Sequence, residues 1–156
     1  MRKIVFVYIA LAIILIVLVI SRSNVFKLDR NANQSTVNVN GKELQIEIAK
    51  SQKEKEIGLS KKNSLGNDKG MLFIFDKPGL YSFWMKNMKF PIDIIFLKDK
   101  KVVTVYKNVK PSTLNINLQV FQPTEPADKV LEVNTGIAEK NNIKNGTIVT
   151  YENIGN

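Results

Sequence analysis

The chain has 156 residues, 23 Lys plus Arg against 14 Asp plus Glu for a net charge of +9, 44% hydrophobic residues, and neither Cys nor His. That length suits one domain large enough to bury a core. The two missing residue types exclude a disulfide scaffold, a thiol nucleophile, c-type haem attachment, a Ser/His/Asp triad and an ordinary zinc site. Carboxylates, Lys, Tyr, Ser and oxygen-ligated cations remain for chemistry, and no cofactor is expected.

Ile4 to Ile20 is seventeen uncharged residues behind Arg2 and Lys3. At ~1.5 Å per residue this run reaches the short end of the transmembrane range, and it exceeds a signal-peptide core of about 15 residues. Residues 1–21 are therefore expected to form an N-terminal transmembrane anchor. The competing reading is a signal helix cleaved at the weak small-x-small site Ser21-Arg22-Ser23, which would leave a secreted protein. The short basic tail places the amino terminus inside and the domain outside. Residues 22–35 are polar and Asn-rich and read as a tether, and residues 36–156 as a single exported globular domain.

The domain opens with a hairpin signal: Val37-Asn38-Val39, then Asn40-Gly41, then Leu44, Ile46 and Ile48 alternating with Glu43, Gln45 and Glu47. Asn-Gly supplies the two positive-φ positions of a type I′ turn. Ser51-Gln52-Lys53-Glu54 is a capping box that starts a short helix to about Leu59. A loop over residues 60–70 follows, then Met71 to Phe75 as a strand buried on both faces. Asp76-Lys77-Pro78-Gly79 reads as a turn and Leu80 to Met85 as a returning strand. Ile92–Leu97 and Val102–Tyr106 bracket a charged hairpin connection. Residues 107–126 are irregular, with an edge strand at Leu118–Phe121. Lys129–Val133 is a strand, Ile137–Asn142 a helical turn or two, and Thr147–Tyr151 a closing strand. The fold class is α+β: a mostly antiparallel, strongly curled sheet or small β-barrel with two short helices.

Beyond Arg2 and Lys3 the chain carries 21 basic and 14 acidic residues, with no basic run longer than two. Without a basic stripe, nucleic acid is not an expected partner; a soluble surface, or attraction to anionic lipid or wall polymer, is the better use of the charge.

Gly58-Leu59, Gly70-Met71-Leu72-Phe73-Ile74-Phe75, Phe83-Trp84-Met85-Lys86-Asn87, Pro91-Ile92-Asp93 and Val130-Leu131-Glu132 with Gly136 together resemble the prokaryotic family labelled domain of unknown function 192 (DUF192, UPF0127). The similarity runs from about Glu43 to Tyr151. Ser60 and Lys62 stand where that family tends to have Met and Arg, Met88 where it has Thr, Ile92 where it has Leu and Thr147 where it has Asp. The Lys at 62 weakens a bidentate anion grip. The resemblance implies a fold and often an anchor or signal; it does not imply an activity.

Three groups of residues are candidates for a site. On a continuous strand Trp84, Lys86 and Met88 would share a face, an indole platform with Lys86 and Asn87 as polar handles for a sugar or other ring; a core Trp with Lys86 snorkelling past it is the plainer alternative. Met71, Met85 and Met88 offer soft thioether ligands for Cu(I), with ordinary core packing favoured over a metal site. Asp76, Asp93 and Glu132 lie beside apolar runs, where a carboxylate needs a partner. Asp93 and Glu132 could form an acid/base pair; Asp93 could equally bind Lys62 or cap amides near Pro91. A Ser60/Lys61 or Lys62 dyad is discarded as a chance adjacency. The reading favoured is a membrane-anchored, extracytoplasmic, non-enzymatic module that binds a small molecule or a cell-envelope component through Trp84, Lys86, Asn87, Asp93, Lys62 and Glu132. The alternatives are a hydrolase using the carboxylate pair and a structural subunit of a membrane complex.

Overall fold

The Asn40-Gly41 turn forms as its residues require: both sit at positive φ, 50° and 81°, and join β1 (Thr36–Val39) to β2 (Lys42–Ala49) as an antiparallel hairpin. The computed structural model describes residues 12–16, 18, 34–112 and 119–155. The chain divides between Gln34 and Ser35 into two units. In the first, residues 12–16 and 18 are helical, and Ile13, Ile14, Leu15, Ile16 and Leu18 are each more than half exposed. The remainder of the proposed anchor, and the tether as far as residue 33, lie outside the described residues. No helix among the described residues is long and apolar enough to cross a membrane.

In the second unit Ser51 caps α1 (Gln52–Ile57). Its Oγ accepts the Glu54 amide at 3.2 Å, and Glu54 Oε2 accepts the Ser51 amide at 2.9 Å. These bonds favour the charged form and hold the Glu54 carboxyl below its ordinary value. The helix is the crossover that returns β3 (Lys69–Gly79) parallel to β2, the one parallel pairing in an otherwise antiparallel sheet.

β5 (Ile92–Lys98), β6 (Lys101–Val109), β8 (Ala127–Asn134) and β9 (Val149–Glu152) complete seven strands in the order β6-β5-β8-β3-β2-β1-β9. α2 (Ile137–Lys140) follows β8. The sheet curls until its two edge strands touch at one end. There Lys101 bridges Ile148, the Val102 amide donates to the Thr147 carbonyl at 2.9 Å, and the Val149 amide to the Lys100 carbonyl at 2.8 Å. The expected α+β architecture with a strongly curled sheet is thus observed.

Because β3, β5 and β8 are central, both of their faces are buried. Met71, Phe73, Ile92, Ile94, Phe96 and Val130 face one core. Leu72, Ile95, Leu97, Leu131 and Val133 face a second core with Val37, Leu44 and Val149.

Three local expectations need correction. Asp76–Gly79 is not a turn: β3 continues through it, and its pairing with β8 jumps from Ile74–Lys129 to Gly79–Ala127, so Pro78 falls where no ladder amide is needed. The strand expected over Leu80–Met85 contracts to β4 (Phe83–Trp84), which pairs with β7 (Val120–Phe121) in a separate two-stranded sheet. Leu118, the start of the expected edge strand, lies outside the described residues. Finally, the chain does not run straight from Trp84 to Met88. The Met88 amide donates to the Met85 carbonyl at 3.2 Å around Asn87, whose φ is 58°, so Met85–Met88 is a turn.

Candidate functional site

A cleft of about 570 Å³ opens on the first-core side of the sheet, a size that suits a small organic molecule. One wall is α1 and its exit, with Lys55, Glu56, Gly58 and Ser60; another is the outer half of β3, with Phe73, Phe75, Asp76 and Lys77. Tyr81, Ser82, Phe83, Trp84, Lys86 and Met88 complete the rim, and β8 supplies Glu132. Gly58 lets the helix end come this close: at φ 47°, a Cβ there would stand 3.3 Å from the Phe73 ring.

The aromatic wall is ordered by ring contacts. Phe75 and Tyr81 stack with centroids 3.6 Å apart, while Phe83 meets Phe73 edge-on at 5.0 Å and Phe96 at 5.6 Å. Lys55 Nζ lies 4.5 Å from the Phe75 centroid, a cation over an aromatic face. Trp84 is 53% exposed, so the indole is not a core residue.

Glu132 is the least ordinary group in the molecule. It pairs across the sheet with Met71 of β3 and Ile94 of β5, and it therefore points into the first-core face. It is 6% exposed. Its carboxyl receives no hydrogen bond or ion pair from the described residues, and its oxygens are not sealed off, so they open into the cleft they line. Burial alone pushes this carboxyl up to about 8.

Of the six residues expected to share a site, Trp84, Lys86 and Glu132 line the cleft; Asn87, Asp93 and Lys62 do not. Asn87 occupies the positive-φ corner of the Met85–Met88 turn. Asp93 lies fully buried on the opposite face, aligned with Val133 rather than with Glu132. Its Oδ1 accepts the Asn108 amide and its Oδ2 the Ala138 amide, both at 2.8 Å, so it ties the end of β6 to the first turn of α2. The amides it caps are not those near Pro91, and Lys62 is not its partner: Lys62 pairs with Glu47 of β2 at 2.7 Å. The two carboxylates therefore cannot flank one substrate. Met71 and Met85 are buried in the first core and Met88 packs against it, as core methionines do. Among the described residues no cluster of three Asp or Glu could hold a metal ion.

Lys55, Phe75 and Tyr81 were not singled out from the sequence. The capping box located the helix that carries Lys55, but nothing local indicates that this helix leans over the end of β3.

The fold and cleft define a small α+β domain whose half-barrel sheet carries a ligand-sized, aromatic-walled opening. Residues 35–151 match DUF192, described as Uncharacterized ACR, and the chain belongs to that family. It is similar to a solved protein of unknown function from Novosphingobium aromaticivorans DSM 12444, with 32% identity, TM-score 0.67 and coverage of 75% of this chain and 83% of that one. It is also similar to a protein from Sinorhizobium meliloti 1021 named a "putative transcription regulator", with 26% identity, TM-score 0.67 and coverage of 76% and 92%. Among curated proteins none matches.

Proposed function

We propose that this protein is a non-enzymatic module that binds a small organic ligand in the Trp84 cleft, and that it does so outside a membrane in which residues 1–21 anchor it. One observation carries the reading: an exposed indole stands at the rim of a cleft into which a buried Glu132 opens that has no partner among the described residues. An acid in that condition destabilises the fold, and such groups concentrate where a ligand or substrate supplies the missing partner. The anchor rests on the uncharged Ile4–Ile20 run behind Arg2 and Lys3.

Trp84 is the only Trp, so its fluorescence reports on the cleft alone. Titration of the full chain in detergent with cell-wall sugars, small organic anions, organic amines and Cu(I) is expected to shift the emission with at least one of them below millimolar concentration, and Trp84→Ala to weaken that binding as read by calorimetry. Silence across the panel refutes the reading. Protease treatment of intact cells tests the anchor: the domain must be digested from outside.

A second reading, a subunit of a membrane complex, is favoured by the apolar side chains of Leu80, Trp84 and Val120, each more than half exposed, with Trp84 and Val120 paired across β4 and β7. In that case Trp84→Ala changes co-purifying proteins and leaves the ligand panel silent.

A further inference from the structure

The chemistry of the cleft narrows the class of ligand. Its deepest polar group is an acid with no partner among the described residues, and three lysines line the same opening without reaching it: Lys55, Lys77 and Lys86. A ligand hydroxyl could accept or donate one hydrogen bond there but would bring no counter-charge to the ionised acid. An ammonium group supplies both a counter-charge and several donors, and charge-assisted bonds are about twice as strong as neutral ones. The walls suit the same group. Phe73, Phe75, Tyr81, Phe83 and Trp84 bring five rings to one opening, and Phe75 already holds the ammonium of Lys55 over its face.

The remaining charged groups do not decide the matter. Facing the opening are Lys55 and Glu56 from α1, Asp76 and Lys77 from β3, Lys86 beyond β4, and the Tyr81 hydroxyl, which donates to the Lys77 carbonyl at 2.7 Å. Gln52 occupies Glu56 through a hydrogen bond at 2.9 Å. These charges are of both signs and mostly solvent-exposed, so they are screened, whereas the field of the buried acid is not. A bare ammonium would fill little of about 570 Å³, so an apolar or aromatic body must accompany it.

Resting on the cleft reading above, we infer that the cleft takes a small organic amine, its ammonium group seated on the Glu132 carboxylate and its apolar body against the aromatic wall and Trp84.

Three probes with the same ring and different heads test this: phenethylamine, 2-phenylethanol and 3-phenylpropionate, each titrated into the full chain in neutral detergent by Trp84 fluorescence and by calorimetry. Phenethylamine is expected to bind at least tenfold tighter than the other two. Because it needs the ionised acid, its affinity should rise about tenfold per pH unit towards pH 8. Calorimetry at neutral pH, in two buffers of different ionisation enthalpy, should show close to one proton released per amine bound. Glu132→Gln should reduce the amine affinity at least tenfold, with an unchanged far-UV dichroism spectrum and a cooperative urea transition showing that the variant is folded. The pH profile and proton release of the wild type test the same point without any variant.

Binding of the alcohol or the acid as tightly as the amine overturns the amine class while leaving a ligand cleft in place. Amine binding that Glu132→Gln does not weaken overturns it as well. No response to phenethylamine at millimolar concentration also overturns it. In that event sugars or anions in the wider panel decide whether the cleft reading survives, and silence there removes both.

Discussion

Glu132→Gln should stabilise the protein, and by an amount that depends on pH in a defined way. In the folded state the carboxyl titrates near 8 because burial disfavours its charge, against an ordinary value of 4.5. Between those two values the folded chain binds more protons at this site than the unfolded chain does, so stability falls as pH rises. Each unit of displacement corresponds to about 1.4 kcal/mol, which gives a loss of roughly 3 kcal/mol by pH 7 relative to pH 4. Gln keeps the shape and polarity of the protonated acid and cannot ionise, so it should not suffer this loss. Urea unfolding of wild type and variant, cut to Ser35–Asn156 and followed by far-UV dichroism from pH 4 to pH 8, measures the difference directly. The two should be nearly equal at pH 4, and the variant should lead by about 3 kcal/mol at pH 7, a large share of the stability of a domain of this size. Other titrating groups contribute equally to both proteins and cancel in the difference. A difference that stays flat across this range would refute the reasoning, because it would mean that Glu132 already has a partner or ample water.

Other substitutions separate the cleft from the scaffold. Asp93→Asn leaves one of the Asn108 and Ala138 amides without an acceptor and should cost about 2 kcal/mol in the same unfolding assay, with faster hydrogen exchange at Ala138 and no change in ligand binding; an unchanged urea midpoint would contradict it. Gly70→Ala puts a Cβ 3.0 Å from both the Glu132 carbonyl oxygen and Ile46 Cδ1, and since the carbonyl belongs to the sheet it should destabilise by about 1–3 kcal/mol; a neutral result would show that β3 can shift. Trp84 emission should be red-shifted and readily quenched by acrylamide, and Trp84→Ala should change stability by no more than about 0.5 kcal/mol; a blue-shifted, unquenched spectrum would place the indole in the core.

The elements that the sequence announced are those whose signal is local. Asn40-Gly41 needs only its own two backbone conformations, the Ser51–Glu54 box only one helical turn, and the Ile92–Leu97 run only its five large apolar residues around a single Asp. The misread stretch from Asp76 to Met88 depends on distant partners. A Pro-Gly pair stays extended because β8 tolerates a jump in register, and Trp84 pairs with Val120 on the far side of 35 intervening residues. The cleft inherits that dependence, since its walls come from α1, the outer half of β3, the chain around β4 and one residue of β8.

The two acids show how far local reasoning reaches. Asp93 is flanked by Pro91-Ile92 and Ile94-Ile95-Phe96 and is the less comfortable of the two on sequence grounds, yet it is the satisfied one. Chain 15 and 45 positions away brings it two amides. Glu132, in an equally apolar setting, has none. What separates them is parity: β5 aligns Asp93 with Val133, so Glu132, one position along, faces the other way and into the cleft. A slip of one residue in β8 would send Glu132 to the α2 side and put Val133 in the cleft, exchanging a candidate ligand contact for an inert wall. Register of this kind is set by how whole strands bury their two faces, so an acid beside an apolar run identifies a possible site only once the sheet has fixed which core it faces.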